Sequence, residues 1–173
     1  MRQLQDRIKV RSQMLEKLNQ ATEPKGLQFD AAGVARLTQW QPRKETEDTL
    51  IEKIVQEGEP GVWKITTGPS GRAIASLRAK VILPAGSYRW AALARAENPK
   101  PSEGHPGNGA GLRISGSPRS NEISGTTDWK LLVFEIEIRE PSQEVELVAE
   151  LRAHSGSVNF RENSFKLVRV KKE

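Results

Sequence analysis

Cysteine is absent from the 173 residues, which removes disulfides, thiolate metal sites and cysteine nucleophiles together. Histidine is almost absent too. His105 lies in a Pro/Gly loop and His154 beside a turn, with no His-x-x-x-His spacing, so a histidine-built zinc enzyme is not expected. No apolar run approaches the roughly 20 residues of a membrane helix, and no membrane partner is expected. Arg2, Gln3, Asp6 and Arg7 follow Met1 without an apolar stretch, so no secretory signal is expected within this sequence; an exported parent chain would place it at the cell surface or outside the cell. The basic excess of +5 is spread along the chain and partly supplied by Arg169, Lys171 and Lys172 at its end. Nucleic-acid binding needs a concentrated stripe, so no nucleic-acid partner is expected.

The length suits one domain with an appendage. Leu4, Ile8, Leu15 and Leu18 form an apolar stripe at helical spacing, and Pro24 and Gly26 end it. A lone helix of this length is marginal in water, so residues 1–20 are expected to dock on the rest of the chain, a second copy or a neighbouring domain. The expected division is 1–26 for helix and linker and 27–173 for a β domain.

Beyond Gly26 the apolar period becomes two, with turn residues at intervals that leave room for short strands. Strands are expected at 34–41, 61–67, 73–83, 86–97, 109–116, 129–139, 144–153, 156–160 and 164–171; 47–56 fits a strand or a short helix. The pattern is that of a mainly β chain, an antiparallel β-sandwich of jelly-roll type with a short N-terminal amphipathic helix. Alternation puts Tyr88, Trp90, Ala92, Ala94 and Ala96 on one face of 86–97 and Arg89, Leu93 and Arg95 on the other. Leu112, Phe134, Ile136, Leu147 and Leu151 complete the expected core. Pro84-Ala85-Gly86 and Ser155-Gly156 read as turns joining hairpins. Two long loops, 98–108 and 117–128, are places where ligand contacts collect.

Catalytic patterns are missing. Gly107, Gly109, Gly111 and Gly116 lack the following Gly-Lys-Ser/Thr and helix of a phosphate loop, and Gly116-Ser117 lacks the strand-to-helix setting of a serine elbow. Glu135, Glu137, Glu146 and Glu150 alternate with apolar residues, which favours solvated strand faces over a carboxylate pair. An enzyme is therefore not expected. Trp90 and Tyr88 read as core, whereas Trp40, Trp63 and Trp129 sit at strand ends and fit core or rim.

The stretch Ile74 to Trp90, Gly109-Ala110-Gly111-Leu112-Arg113-Ile114-Ser115-Gly116, Gly125-Thr126-Thr127-Asp128-Trp129 and Val145 to Ala153 together resemble carbohydrate-binding-module-like, galactose-binding-like jelly rolls. More narrowly, they are similar to the C-terminal sandwich of bacterial CotH-type spore-coat kinase-like proteins; none of the kinase motifs is present. The resemblance implies an accessory module whose partner is an oligosaccharide or polysaccharide. It also implies a sugar-facing sheet made of 86–97, 109–116 and 144–153, with Arg95, Arg113, Arg152 and Glu150 as ligand-binding residues. Guanidiniums fork onto carboxylates, so the implied ligand is an acidic glycan, with Glu150 orienting Arg95 or Arg113. Such modules often hold calcium near the chain end, but Arg161 and Glu162 follow Phe160 here and a guanidinium offers no oxygen ligand, so no metal and no cofactor are expected. The alternative function is protein docking as a structural accessory domain of a larger bacterial protein, with the arginines in a cross-strand ion-pair lattice.

Overall fold

The computed structural model describes residues 25–100 and 109–171. The helix expected over 1–20 lies outside the described residues. In chain order the strands are β1 (Lys25–Gly26), β2 (Val34–Arg36), β3 (Gln41–Lys44), β4 (Leu50–Ile54), β5 (Val62–Thr66), β6 (Ala73–Lys100), β7 (Gly109–Ile114), β8 (Lys130–Ala153), β9 (Ser155–Arg161) and β10 (Lys166–Val170). All belong to one curled sheet that is antiparallel except where β1 joins β6. The segment 47–56, which fitted either element, forms strand β4; 34–41 is broken into β2 and the start of β3.

The frame is a two-stranded ribbon. β6 and β8 pair antiparallel over nearly their whole length, from Ala73 opposite Ala153 to Ala94 opposite Lys130, with an irregularity between Pro84 and Gly86. The chain continues through Pro84-Ala85-Gly86 in one strand, so the hairpin expected there does not form. Proline fits because its residue pairs at a bulge, where the ladder is already broken. Ser155-Gly156 likewise joins no hairpin: β9 leaves β8 and pairs with β5 and the far half of β6.

Each half of the ribbon anchors one side of the sandwich. Residues 73–84 and 142–153 are flanked by β3 and β7. Residues 86–100 and 130–138 continue through β9 to β5 and β4, with β10 and then β2 taking the same edge of β6 nearer Gly86. The strands 86–97, 109–116 and 144–153, expected to share one ligand-facing sheet, are thus divided between the two sides. The reason is topological: 86–97 is the continuation of 73–84 past the bend, and its partner is 130–138 rather than 144–153.

The inner faces follow the alternation. Tyr88, Trp90, Ala92, Ala94 and Ala96 are buried, as are Leu112, Phe134, Ile136, Leu147 and Leu151. Trp90 stacks on Trp40 with ring centres 5.3 Å apart, and Phe165 lies 4.5 Å from Trp40. These strands form because β-branched, aromatic and small apolar residues recur at every second position, which a pleated, one-side-buried surface accepts.

Candidate functional site

On the outer face of the first side, Ser76 and Gly111 flank Glu150 in register, from β6 and β7 respectively. Glu150 is only 3% exposed although its position faces away from the core. The expectation of a solvated carboxylate is therefore overturned at this residue, whereas Glu135 on the other side keeps it. Three guanidiniums account for the burial. Arg113 Nε and Arg119 Nη1 donate to Glu150 Oε1 at 3.0 and 3.3 Å, and Arg152 Nε donates to Oε2 at 3.3 Å.

Arg119 reaches this carboxylate across Gly111. A Cβ built on Gly111 would stand 2.5 Å from Arg119 Cδ and 2.7 Å from Asn121 O, so only a residue without a side chain leaves the passage open. The loop carrying Arg119 is fixed along the free edge of β7. Ala110 and Ile123 exchange backbone hydrogen bonds of 3.0 and 2.8 Å, and Asn121 accepts from Leu112 N at 2.7 Å while its Nδ2 donates to Leu112 O and Val133 O. Burial pulls the Arg119 pKa down, and the carboxylates of Glu150 and Glu122 oppose that shift. We expect Gly111→Ala to expel Arg119 and free the loop, lowering the melting temperature by several degrees, with lost amide protection at Leu112 and Ile123 in hydrogen exchange as the check. An unchanged melt would show that the passage is not tight.

Beside Glu150 the face holds a small depression lined by Arg43, Glu45, Ser76, Arg78, Glu150 and Arg152. Arg78 pairs with Glu146 and its Nε donates to Ser76 Oγ at 2.9 Å. Guanidiniums outnumber carboxylates here, so the face keeps positive charge after its internal pairs are made. Among the described residues no group of three or more His, Asp or Glu side chains is placed to hold a metal ion.

Of the residues singled out from sequence, Arg113, Arg152 and Glu150 come together and Arg95 does not. Arg95 lies on the outer face of the opposite side, opposite Asn159 of β9, with its guanidinium carbon 5.1 Å from the centre of the Trp129 ring. Its strand turns the corner at Pro84–Gly86, and Glu150 therefore orients Arg113 and not Arg95. Arg43, Arg78 and Arg119 were missed. Alternation in 73–83 puts Arg78 outward beside Glu146, a legible signal, whereas Arg119 sits in an irregular loop and only the bare Gly111 opposite Glu150 hints at it.

No protein-family model matches the sequence, and no curated protein matches it in sequence. Solved structures similar to the chain include the following three. The module TmCBM61, solved in complex with β-1,4-galactotriose, has a TM-score of 0.48 and 19% identity over 78% of this chain and 91% of its own. A structure described as CBM4 has a TM-score of 0.47 and 15% identity over 84% and 95%. The enzymatically active domain of bacteriophage CBA120 tailspike protein 4 has a TM-score of 0.50 and 9% identity over 76% of this chain. What is shared is a fold. The chain spans 19% of the tailspike domain, so that domain's activity is not carried across. None of these structures is described as a CotH-type protein, and the narrower resemblance gains no support.

Proposed function

We propose that the chain is a non-catalytic carbohydrate-binding module of jelly-roll type, and that it takes an acidic glycan on the outer face around Glu150. The observation that carries this reading is the depression beside that carboxylate. Its rim is built from guanidiniums whose Nε atoms are engaged: Arg152 on Glu150, at one edge, and Arg78 on Ser76, at another. Holding the Nε edge fixes each planar fork and leaves further N–H groups for a sugar carboxylate or vicinal hydroxyls. Arg113 stands beyond Glu150, held in the same way. Arg95, on the opposite side, is outside this site.

The test is titration of the protein with neutral and uronate oligosaccharides. Arg152→Ala should weaken uronate binding by about 1.5–3 kcal/mol, the worth of a hydrogen bond to a charged group. Arg89→Ala removes only an exposed pair with Glu135 on the other side, and should cost about 1 kcal/mol or less in stability and leave binding alone.

Protein docking as an accessory domain is the second reading. It draws on the pairing of Arg113, Arg119 and Arg152 with Glu150, which is also what a purely structural ion-pair cluster requires. Failure of the wild type to bind any glycan decides for it.

A further inference from the structure

The opposite outer face carries a second cluster of cations, and its chemistry differs from the first. Trp129 alternates with the core residues Leu132 and Phe134 and so faces outward, half-buried. Two guanidiniums lie on its ring: Arg161 with its carbon 4.4 Å from the ring centre and Arg95 at 5.1 Å. Around Glu150 each guanidinium has a carboxylate. Arg95 and Arg161 have none within ion-pairing distance among the described residues, whereas Lys64 on that face has Glu97 at 3.6 Å.

Beside them is an unsatisfied polar group. Asn159 is 3% exposed, pairs in register with Lys64 on one side and Arg95 on the other, and its buried Nδ2 has no hydrogen-bond partner. A buried donor left without an acceptor is costly, and an antiparallel sheet would ordinarily place an apolar or fully exposed residue at such a position.

The geometry points to an anion clamp at Arg95, Arg161 and Trp129 that takes one carboxylate of an acidic sugar, beside the buried amide of Asn159. The indole attracts both cations through its ring face and supplies no hydrogen-bond acceptor for their forks, so it orients the two guanidiniums while leaving their N–H edges for a ligand. An anion between them removes the repulsion of two like charges held on one ring. Because the ring is already covered by guanidiniums, a nucleic-acid base does not find the free aromatic face that single-strand binding uses, which favours a sugar acid. The sugar rests on the function proposed above; the anion does not.

The experiment follows the Trp129 indole N–H resonance, assigned by its loss in Trp129→Phe, during titration with trigalacturonate, neutral β-1,4-galactotriose, inorganic sulfate and a single-stranded oligonucleotide. Trigalacturonate should shift it saturably and galactotriose should not. Arg95→Gln and Arg161→Gln should each raise the trigalacturonate Kd about tenfold or more, the loss expected for one charge-assisted contact, with Arg89→Ala as the unchanged control and melting curves confirming that each variant folds. No saturable shift with trigalacturonate or sulfate overturns the clamp, as do shifts that survive both glutamine variants. A shift with sulfate alone upholds the anion and defeats the sugar at the clamp, and leaves the Glu150 site to the titration of Arg152→Ala. Tighter oligonucleotide binding through the same two arginines overturns the sugar assignment. A trigalacturonate response at Trp129 that Arg152→Ala leaves intact upholds the clamp as a site separate from the one around Glu150, and a response that Arg152→Ala abolishes overturns it.

Discussion

Trp90→Ala is expected to lower the unfolding free energy by about 3–5 kcal/mol, the cost of deleting a buried aromatic and leaving part of its cavity. Trp90 is fully buried, stacks on Trp40, and contacts Phe165 with ring centres 5.7 Å apart, so two aromatic partners lose their packing at once. For a chain of this size that change corresponds to a melting temperature lower by roughly 10 °C. Trp90→Phe should cost much less, since it keeps a ring in the stack and removes an indole N–H that is buried without a partner. Leu131, more than half exposed on the outer face, provides the contrast: Leu131→Ala should stay within about 0.5 kcal/mol. Denaturant melts of the three variants check the ordering, and equal losses at Trp90 and Leu131 would contradict the assignment of inner and outer faces.

Glu150→Ala should be comparably severe, by about 3–5 kcal/mol, for an electrostatic reason. The carboxylate is the shared acceptor of Arg113, Arg119 and Arg152, and the Arg119 side chain is only 1% exposed. Removing the acceptor takes the largest opposing charge from a desolvated guanidinium that faces two others, with Glu122 the lesser one remaining. The loss should change little between low and moderate salt, because a buried cluster is poorly screened. In a double-mutant cycle, Arg119→Ala should cost far less in the Glu150→Ala background than in the wild type. Additive losses would mean that the two residues act separately and that the cluster is not a unit.

The inner faces were legible in the sequence because period-two alternation states them directly. Tyr88 with Trp90, and Phe134 with Ile136, needed no knowledge of the partner strands. The grouping of outer residues was not legible, because it depends on where a strand changes sides. Pro84-Ala85-Gly86 has the composition of a hairpin turn, and a bulge that bends a continuous strand uses the same residues for the same backbone reasons. Reading it as a hairpin put Arg95 in the wrong company, while Arg113, Arg152 and Glu150, all beyond the bend on one side, were grouped correctly. Glu150 was expected in solvent because alternation reports which face a side chain takes and says nothing of what covers that face. The cover comes from Arg119, in a loop without periodicity.

The pairing of β6 with β8 on both sides of the bulge at Pro84–Gly86 has one more consequence. Each half of the ribbon keeps its own register, and a slip by a single residue in either half would turn that half's side chains over. A slip before the bulge would turn Leu77 out of the core and Arg78 into it, and one beyond the bulge would do the same to Trp90 and Arg95. The bulge is thus a seam between two registers, and misalignment on one side of it leaves the cation-bearing face on the other as it was.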